Sequence, residues 1–172
     1  MHVRDFYDYL VRSRRDLWAV LRAAPDEVLS RHLIGEGLRF RSIKDLVFHI
    51  PLVEDGWLHG TVLGEPPLLV EYPGVTYAGD EGHCDDQPLE ALLGYWQAVE
   101  AGTLAYLNAL PPGELERKVI DPDFPDHPFT VDGVLWHAFT HEMRHAAQIS
   151  LLLRTQGIAP PAMDLIFYLA NR

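Results

Sequence analysis

The chain has 172 residues, 48% hydrophobic and 23% charged, with a mean hydropathy of −0.05, which predicts one soluble domain over 1–172 with a sizeable core. Its 14 Lys and Arg against 25 Asp and Glu leave a formal charge of −11, a surface that repels phosphate backbones and anionic lipid, so no nucleic-acid or membrane partner is expected. One cysteine, Cys84, excludes an internal disulfide framework, and no apolar run approaches the roughly 20 residues of a span, so the expected location is cytoplasmic.

Phe6, Leu10, Leu17, Val20, Leu21 and Ala24 recur at helical spacing and Pro25 follows, which predicts a first helix over roughly 4–24. A polar connector, 25–41, carries Gly35 and Gly37. Ser42 is placed to cap a second helix, with Asp45 three residues on and an apolar stripe of Ile43, Leu46, Ile50, Val53 and Trp57 reaching about Leu63. Pro51 inside it removes a backbone donor and predicts a kink between Val47 and Pro51. A loop rich in Pro and Gly covers 64–87. Pro88 suits the first turn of a third helix, carried by Leu89, Leu92, Leu93, Trp96, Val99 and Leu107 to about Leu110. Gly94 and Gly102 weaken it, as close approach of a neighbouring helix would require. After a second long connector, 111–130, Thr130 caps a fourth helix that runs to Gln156 and stops at Gly157, leaving a short apolar tail over 163–170. No segment shows sustained strand alternation. The expected fold is an all-α four-helix bundle with long crossover connections.

The core stripe of helix four reads Val134, Ala138, His141, His145, Ile149, Leu152, so two imidazoles stack one turn apart on an apolar face. Helix two repeats the anomaly with His49 between Leu46 and Val53. A buried imidazole without a partner costs about 1–3 kcal/mol. Three neutral histidines on one divalent cation remove that cost together; three separately satisfied core histidines would remove it one by one. Zinc and nickel are the first expectations, and iron or manganese also suit imidazole ligands. His141-Glu142-Met143-Arg144-His145 also spells the H-E-x-x-H pattern of zinc peptidases. Its usual third ligand is missing, since position 151 is Leu151 and no Glu follows Glu142.

Leu135-Trp136-His137-Ala138-Phe139-Thr140-His141-Glu142-Met143-Arg144-His145-Ala146-Ala147-Gln148 resembles the fourth-helix signature of the DinB/YfiT-like family. His49 with Glu54 and Trp57, and downstream Arg154, Gly157, Pro160-Pro161 and Asp164, match it as well. The resemblance spans the chain. It implies a bundle with one metal site on His49, His141 and His145, homodimers in many relatives, and transferase or isomerase chemistry that joins a low-molecular-weight thiol to a small electrophile. Where relatives often place Arg-Gly after the last histidine, this chain has Ala146-Ala147. Gln148 is kept, as a partner for a ligand histidine.

The remaining chemistry-bearing residues read more plainly. His137, one turn before His141, is either a partner of the ligands, a fourth ligand, or a surface or subunit-contact histidine, and the last expectation is preferred. Glu142, about 100° off the stripe, is either a general base or a solvated carboxylate, and the second expectation is preferred. The runs Asp80-Glu81-Gly82-His83-Cys84-Asp85-Asp86 and Asp121, Asp123, Asp126, His127 read as solvated connectors. Cys84 has acidic neighbours and Ser150 lacks a glycine elbow, so neither is a nucleophile. Gly35-Glu36-Gly37 has Phe40 where a dinucleotide loop needs glycine. Trp57, Trp96 and Trp136 read as core or pocket wall. Two alternatives to the thiol transferase stand at this point: a non-enzymatic metal-binding bundle, and a metal-dependent hydrolase with Glu142 as base.

Overall fold

A computed structural model describes residues 2–35, 40–76 and 83–170. The parts of two sequence motifs, Glu36-Gly37 and Asp80-Glu81-Gly82, lie outside them. The order is α1 Val3–Ala23, α2 Asp26–Ser30, α3 Ile43–Asp55, α4 Leu89–Asn108, a two-stranded antiparallel ladder β1 Lys118–Val119 and β2 Phe129–Thr130, α5 Val131–Thr155 and α6 Leu165–Ala170. Among the described residues, no helix is long and apolar enough to cross a membrane.

The caps sit where the side chains place them. Ser42 Oγ accepts from the Asp45 amide at 3.1 Å and the Asp45 carboxylate accepts from the Ser42 amide at 3.0 Å, a reciprocal capping box. Thr130 Oγ1 accepts from the Gly133 amide at 3.1 Å, and Gly157 closes α5 at φ 77°.

Four departures from the sequence expectation have local causes. The polar connector holds the short helix α2, whose first turn carries Asp26 and Glu27 against the positive helix end. The α-helix runs through Pro51 to Asp55 and passes at Gly56 into a π-helix over Gly56–Leu63, a change of geometry the sequence did not announce. Gly56 and Gly60 lower the steric cost of that wider turn. The ladder β1–β2 is too short to leave an alternation signal. Gly102 of α4 meets its expectation, since a Cβ there would meet the ring of His59 on the helical continuation of α3 at 3.4 Å, but at Gly94 the close neighbour is the crossover, where a Cβ would meet Tyr72 Oη at 2.8 Å.

The buried apolar residues form two clusters. One holds Leu17–Leu29, Ile43–Ile50, Leu92–Val99 and Ala146–Leu153; the other holds Val3–Leu10, Leu58, Val62, Leu107 and Val131–Phe139. α1 and α5 therefore start in the second half and end in the first, while α3 and α4 run the opposite way. α1 packs on α4 and α5, and α3 packs on the same two helices, so α1 faces α3 across the bundle. The parallel neighbours α3 and α4 need a long return connection, and residues 64–88 supply it. Its 3-10 turn, Leu68–Val70, is pinned by Asp55, which accepts from the Leu68 and Leu69 amides at 3.0 and 3.1 Å and from Tyr95 Oη at 2.7 Å.

Between the two apolar halves lies a polar layer centred on Arg14, which is 1% exposed. Its guanidinium donates to Glu54 of α3 at 2.8 Å, to Glu100 of α4 at 3.1 Å, and twice to Glu142 of α5 at 2.8 and 2.5 Å. Tyr7 Oη and Thr103 Oγ1 donate to Glu54, and the half-exposed Arg15 gives Glu100 a second cation. One α1 side chain thus reaches all three of the other bundle helices. Replacing Arg14 with Met leaves three buried carboxylates short of a cation, and the expected loss is about 3–5 kcal/mol by urea denaturation.

Asp45 gives a pH test of the first cap. Burial alone raises its carboxyl, but the amides of Cys84, Ser42 and Arg41 and the His83 side chain outweigh that and hold it below its ordinary 3.8. A depressed carboxylate stabilises the fold above its unfolded value and loses that contribution as pH falls through the folded one. Asp45→Asn is expected to cost about 1–3 kcal/mol at pH 7, and the gap to wild type should shrink below about pH 4.

Candidate metal centre

The polar layer places His49 of α3 and His141 and His145 of α5 together, at 6%, 8% and 4% exposure. His141 Nε2 lies 3.1 Å from His49 Nε2 and 3.1 Å from His145 Nε2, and one ligand atom of each ring lies within 4.8 Å of the others. The ring centroids stand 4.3–4.9 Å apart and steeply inclined, so the rings do not stack; their Nε2 edges converge.

Protons alone do not satisfy this arrangement. His145 Nδ1 lies 2.6 Å from Gln148 Oε1, so Nδ1 carries the hydrogen and Nε2 holds a lone pair. His141 Nε2 holds either one proton or one lone pair, yet it faces two ring nitrogens. It can make one of the two contacts as a hydrogen bond and leaves the other without a bridging proton. Three lone pairs converging on a cation satisfy the nitrogens that face one another. Zinc–imidazole bonds of about 2.0–2.1 Å in a tetrahedral set put ligand nitrogens about 3.3 Å apart, close to the spacing found here. Burial, with the adjacent His145 and His49 rings and the Arg144 and His137 side chains, holds His141 down to about 3, so it stays in the neutral form that a metal ligand requires. Among the described residues, its Nδ1 is buried without a partner. The residues fit a divalent cation.

The family model of the DinB family matches residues 1–172. The chain belongs to the DinB family. Its fold is shared with a solved structure described as the conserved protein of locus from Enterococcus faecalis, at TM-score 0.69 and 17% identity, covering 90% of this chain and 96% of that one. No functionally curated protein matches it.

In this DinB-family chain the surroundings of the triad divide into three. Phe40 packs its ring 4.3 Å from His49 and 5.5 Å from His145. Arg144 Nη2 lies 3.4 Å from His145 Nε2, a cation beside the donor atoms that the sequence reading overlooked. Gln148 meets its expectation by accepting from His145 Nδ1, although its own residue is exposed.

Two cavities adjoin the triad. A groove of 770 Å³ reaches His49 itself, between Val53 and Gly56 on one side and Leu69, Tyr72 and Thr76 of the crossover on the other, with Asp123 at its edge. A second cavity of 540 Å³ is lined by Trp57, Phe124, Phe129 and His137. His137 is exposed, its ring 6.1 Å from His141 and 5.2 Å from Trp57, so it stands between triad and cavity and is not one of the converging ligands. Burial, and then Arg144, lower its basicity. Trp57 is the pocket wall its sequence position suggested, and Trp96 is core.

Several sequence readings need correction. Glu142 is not a solvated carboxylate: it is 3% exposed, and Arg14 Nε and Nη2 occupy its two oxygens. α5 packs against both α1 and α3, which buries the flank of its stripe where Glu142 sits. Burial, with Glu54 and Glu100 nearby, pushes its carboxyl up against the pull of Arg14. The connector at 83–86 is also pinned, with the Cys84 amide donating to Asp45 at 2.7 Å and His32 paired with Asp85 at 3.0 Å. Asp121 accepts from Thr61 at 2.5 Å and anchors the second connector to the π-helix. The exposed Asp126 and His127 read as expected. Burial and the charges of Asp45, Asp86 and Asp85 push the Cys84 thiol up to about 12, in keeping with its dismissal as a nucleophile.

Arg14, Glu100 and the buried pair His59–Asp55, 2.8 Å apart, went unread in the sequence. The first two had a signal, since Arg14 follows Tyr7 and Leu10 at core spacing and Glu100 follows Trp96. Gln148→Ala is expected to weaken metal binding about 10–100-fold, measured by competition with a chelating dye, because His145 loses the acceptor that fixes its tautomer.

Proposed function

We propose that this DinB-family protein binds one divalent ion, zinc or nickel in the first instance, on His49, His141 and His145, and that it is a transferase or isomerase using a low-molecular-weight thiol on a small electrophile. The observation that carries the metal reading is the pair of 3.1 Å contacts made by one ring nitrogen, His141 Nε2. When bound to three neutral imidazoles, a divalent ion keeps its full charge and supplies Lewis acidity that favours the thiolate of a coordinated thiol near neutral pH.

The chain's own residues do the rest. Gln148 holds the His145 proton on Nδ1 and so leaves a lone pair on Nε2, the atom that faces His141. The groove beside His49 gives a small molecule an approach, and Arg144 places a positive charge next to the donor atoms, which favours an anionic reactant there. The transferase reading draws its support from the family resemblance, the groove at His49 and the Arg144 guanidinium beside His145. The hydrolase reading loses support because both oxygens of Glu142, its only general base, are held by Arg14.

The test is metal content by plasma mass spectrometry on untagged protein beside His49→Ala and His141→Ala. About one equivalent is expected in wild type and none in either variant. A metal-free wild type that takes up no added zinc or nickel overturns the metal site. A loaded protein with no thiol-dependent turnover across varied electrophiles overturns the transferase and leaves the metal-binding bundle.

A further inference from the structure

The cavity beyond His137 has a chemistry of its own. The rings of Trp57, Phe129 and Phe124 meet edge to face, Trp57 to Phe129 at 6.5 Å and 87° and Phe124 to Phe129 at 5.8 Å and 83°. Trp57 meets His137 at 5.2 Å and 74°. Val134 and Pro128 complete an apolar wall, and among the described residues no Asp, Glu, Lys or Arg lines it. In a chain of formal charge −11 that is a conspicuously uncharged patch. Phe124 remains 44% exposed, so the cavity opens to solvent. It is also fixed to the triad, because His137 and Val134 lie on the same helix as His141 and one turn or two before it, and the His137 ring is 6.1 Å from that of His141.

Four rings set edge to face around 540 Å³ offer edges and faces to a flat guest, and the absence of a charged lining penalises a charged one. We infer that this cavity binds an uncharged planar ring, the apolar part of the electrophilic substrate, with His137 as the wall it shares with the metal centre. The inference rests on the proposed thiol chemistry for the guest's role, but the binding itself depends only on the cavity. A second copy of the chain covering Phe124 is the competing occupant, and the uncharged, concave lining, with His137 between it and His141, favours the small ring.

The probe is 2-naphthol, followed by its fluorescence on titration with wild type, Phe124→Ala, Trp57→Ala and, as an exposed apolar control outside the cavity lining, Ile166→Ala. Saturable binding is expected in wild type, weakened about tenfold by either cavity variant and unchanged by the control. 2-Naphthalenesulfonate, the same ring with a charge, is expected to bind at least about tenfold more weakly than 2-naphthol. Phe124 is partly exposed, so its variant reports on the cavity even if Trp57→Ala folds poorly. His141→Ala, with metal content measured in parallel, separates the two claims: naphthol binding that survives loss of the metal supports the cavity whatever becomes of the transferase. No saturable binding, indifference to both cavity variants, or equal affinity for the sulfonate overturns it. So does a dimer by sedimentation velocity that Phe124→Ala dissociates, which would assign the cavity to a second copy.

Discussion

One guanidinium sets the spacing of the bundle. Arg14 stands where the two apolar halves meet and bonds a carboxylate from each of the other three bundle helices, including Glu54 on the helix diagonal to its own. A buried charge of this kind is worth little against a well-packed apolar alternative, but it is intolerant of partial occupancy, and so it specifies one arrangement. Two of the three carboxylates it gathers stand on the ligand helices: Glu142 adjoins His141, and Glu54 lies on the same helix as His49. The tie that registers the helices therefore also registers the three imidazoles.

The two polar constructions occupy one layer and divide its labour. The Arg14 cluster is closed, with its donors and acceptors matched inside the protein. The histidine cluster is open, with His141 Nε2 facing two ring nitrogens where one proton can bridge only one of them, beside a groove and the Arg144 guanidinium at His145. Closed networks rigidify, whereas open ones recruit a ligand. Their adjacency gives the open site the fixed backbone that a three-point metal ligand set demands.

Much of this was legible in the residues, and the failures share a cause. The long helices and their caps followed from apolar spacing and from Ser42, Thr130 and Gly157, whose side chains or lack of them act locally. His49, His141 and His145 were conspicuous because imidazoles interrupted apolar stripes. Arg14, Glu100 and Glu142 interrupt stripes too, but Arg and Glu on a helix read by default as solvated, and only the partner helices reveal them as matched charges. The breadth of α5's buried face depends on having two neighbours, which no single stripe records. The π-helix after Gly56 and the two-residue ladder are equally hidden, since each is decided by packing over a stretch too short to carry a period.

The parallel run of α3 and α4 has a consequence for how such a fold diversifies. Parallel neighbours oblige the chain to return along the outside of the bundle, and here that return strand of loop, with Leu69, Tyr72 and Thr76, forms one wall of the groove at His49. The wall is thus made of connector while the ligands stand on helices. Insertions and substitutions in surface connectors are tolerated far more readily than changes in a registered core. The space around the reacting groups can therefore be reshaped from one descendant to another while the three imidazoles and the charges that align them stay where they are.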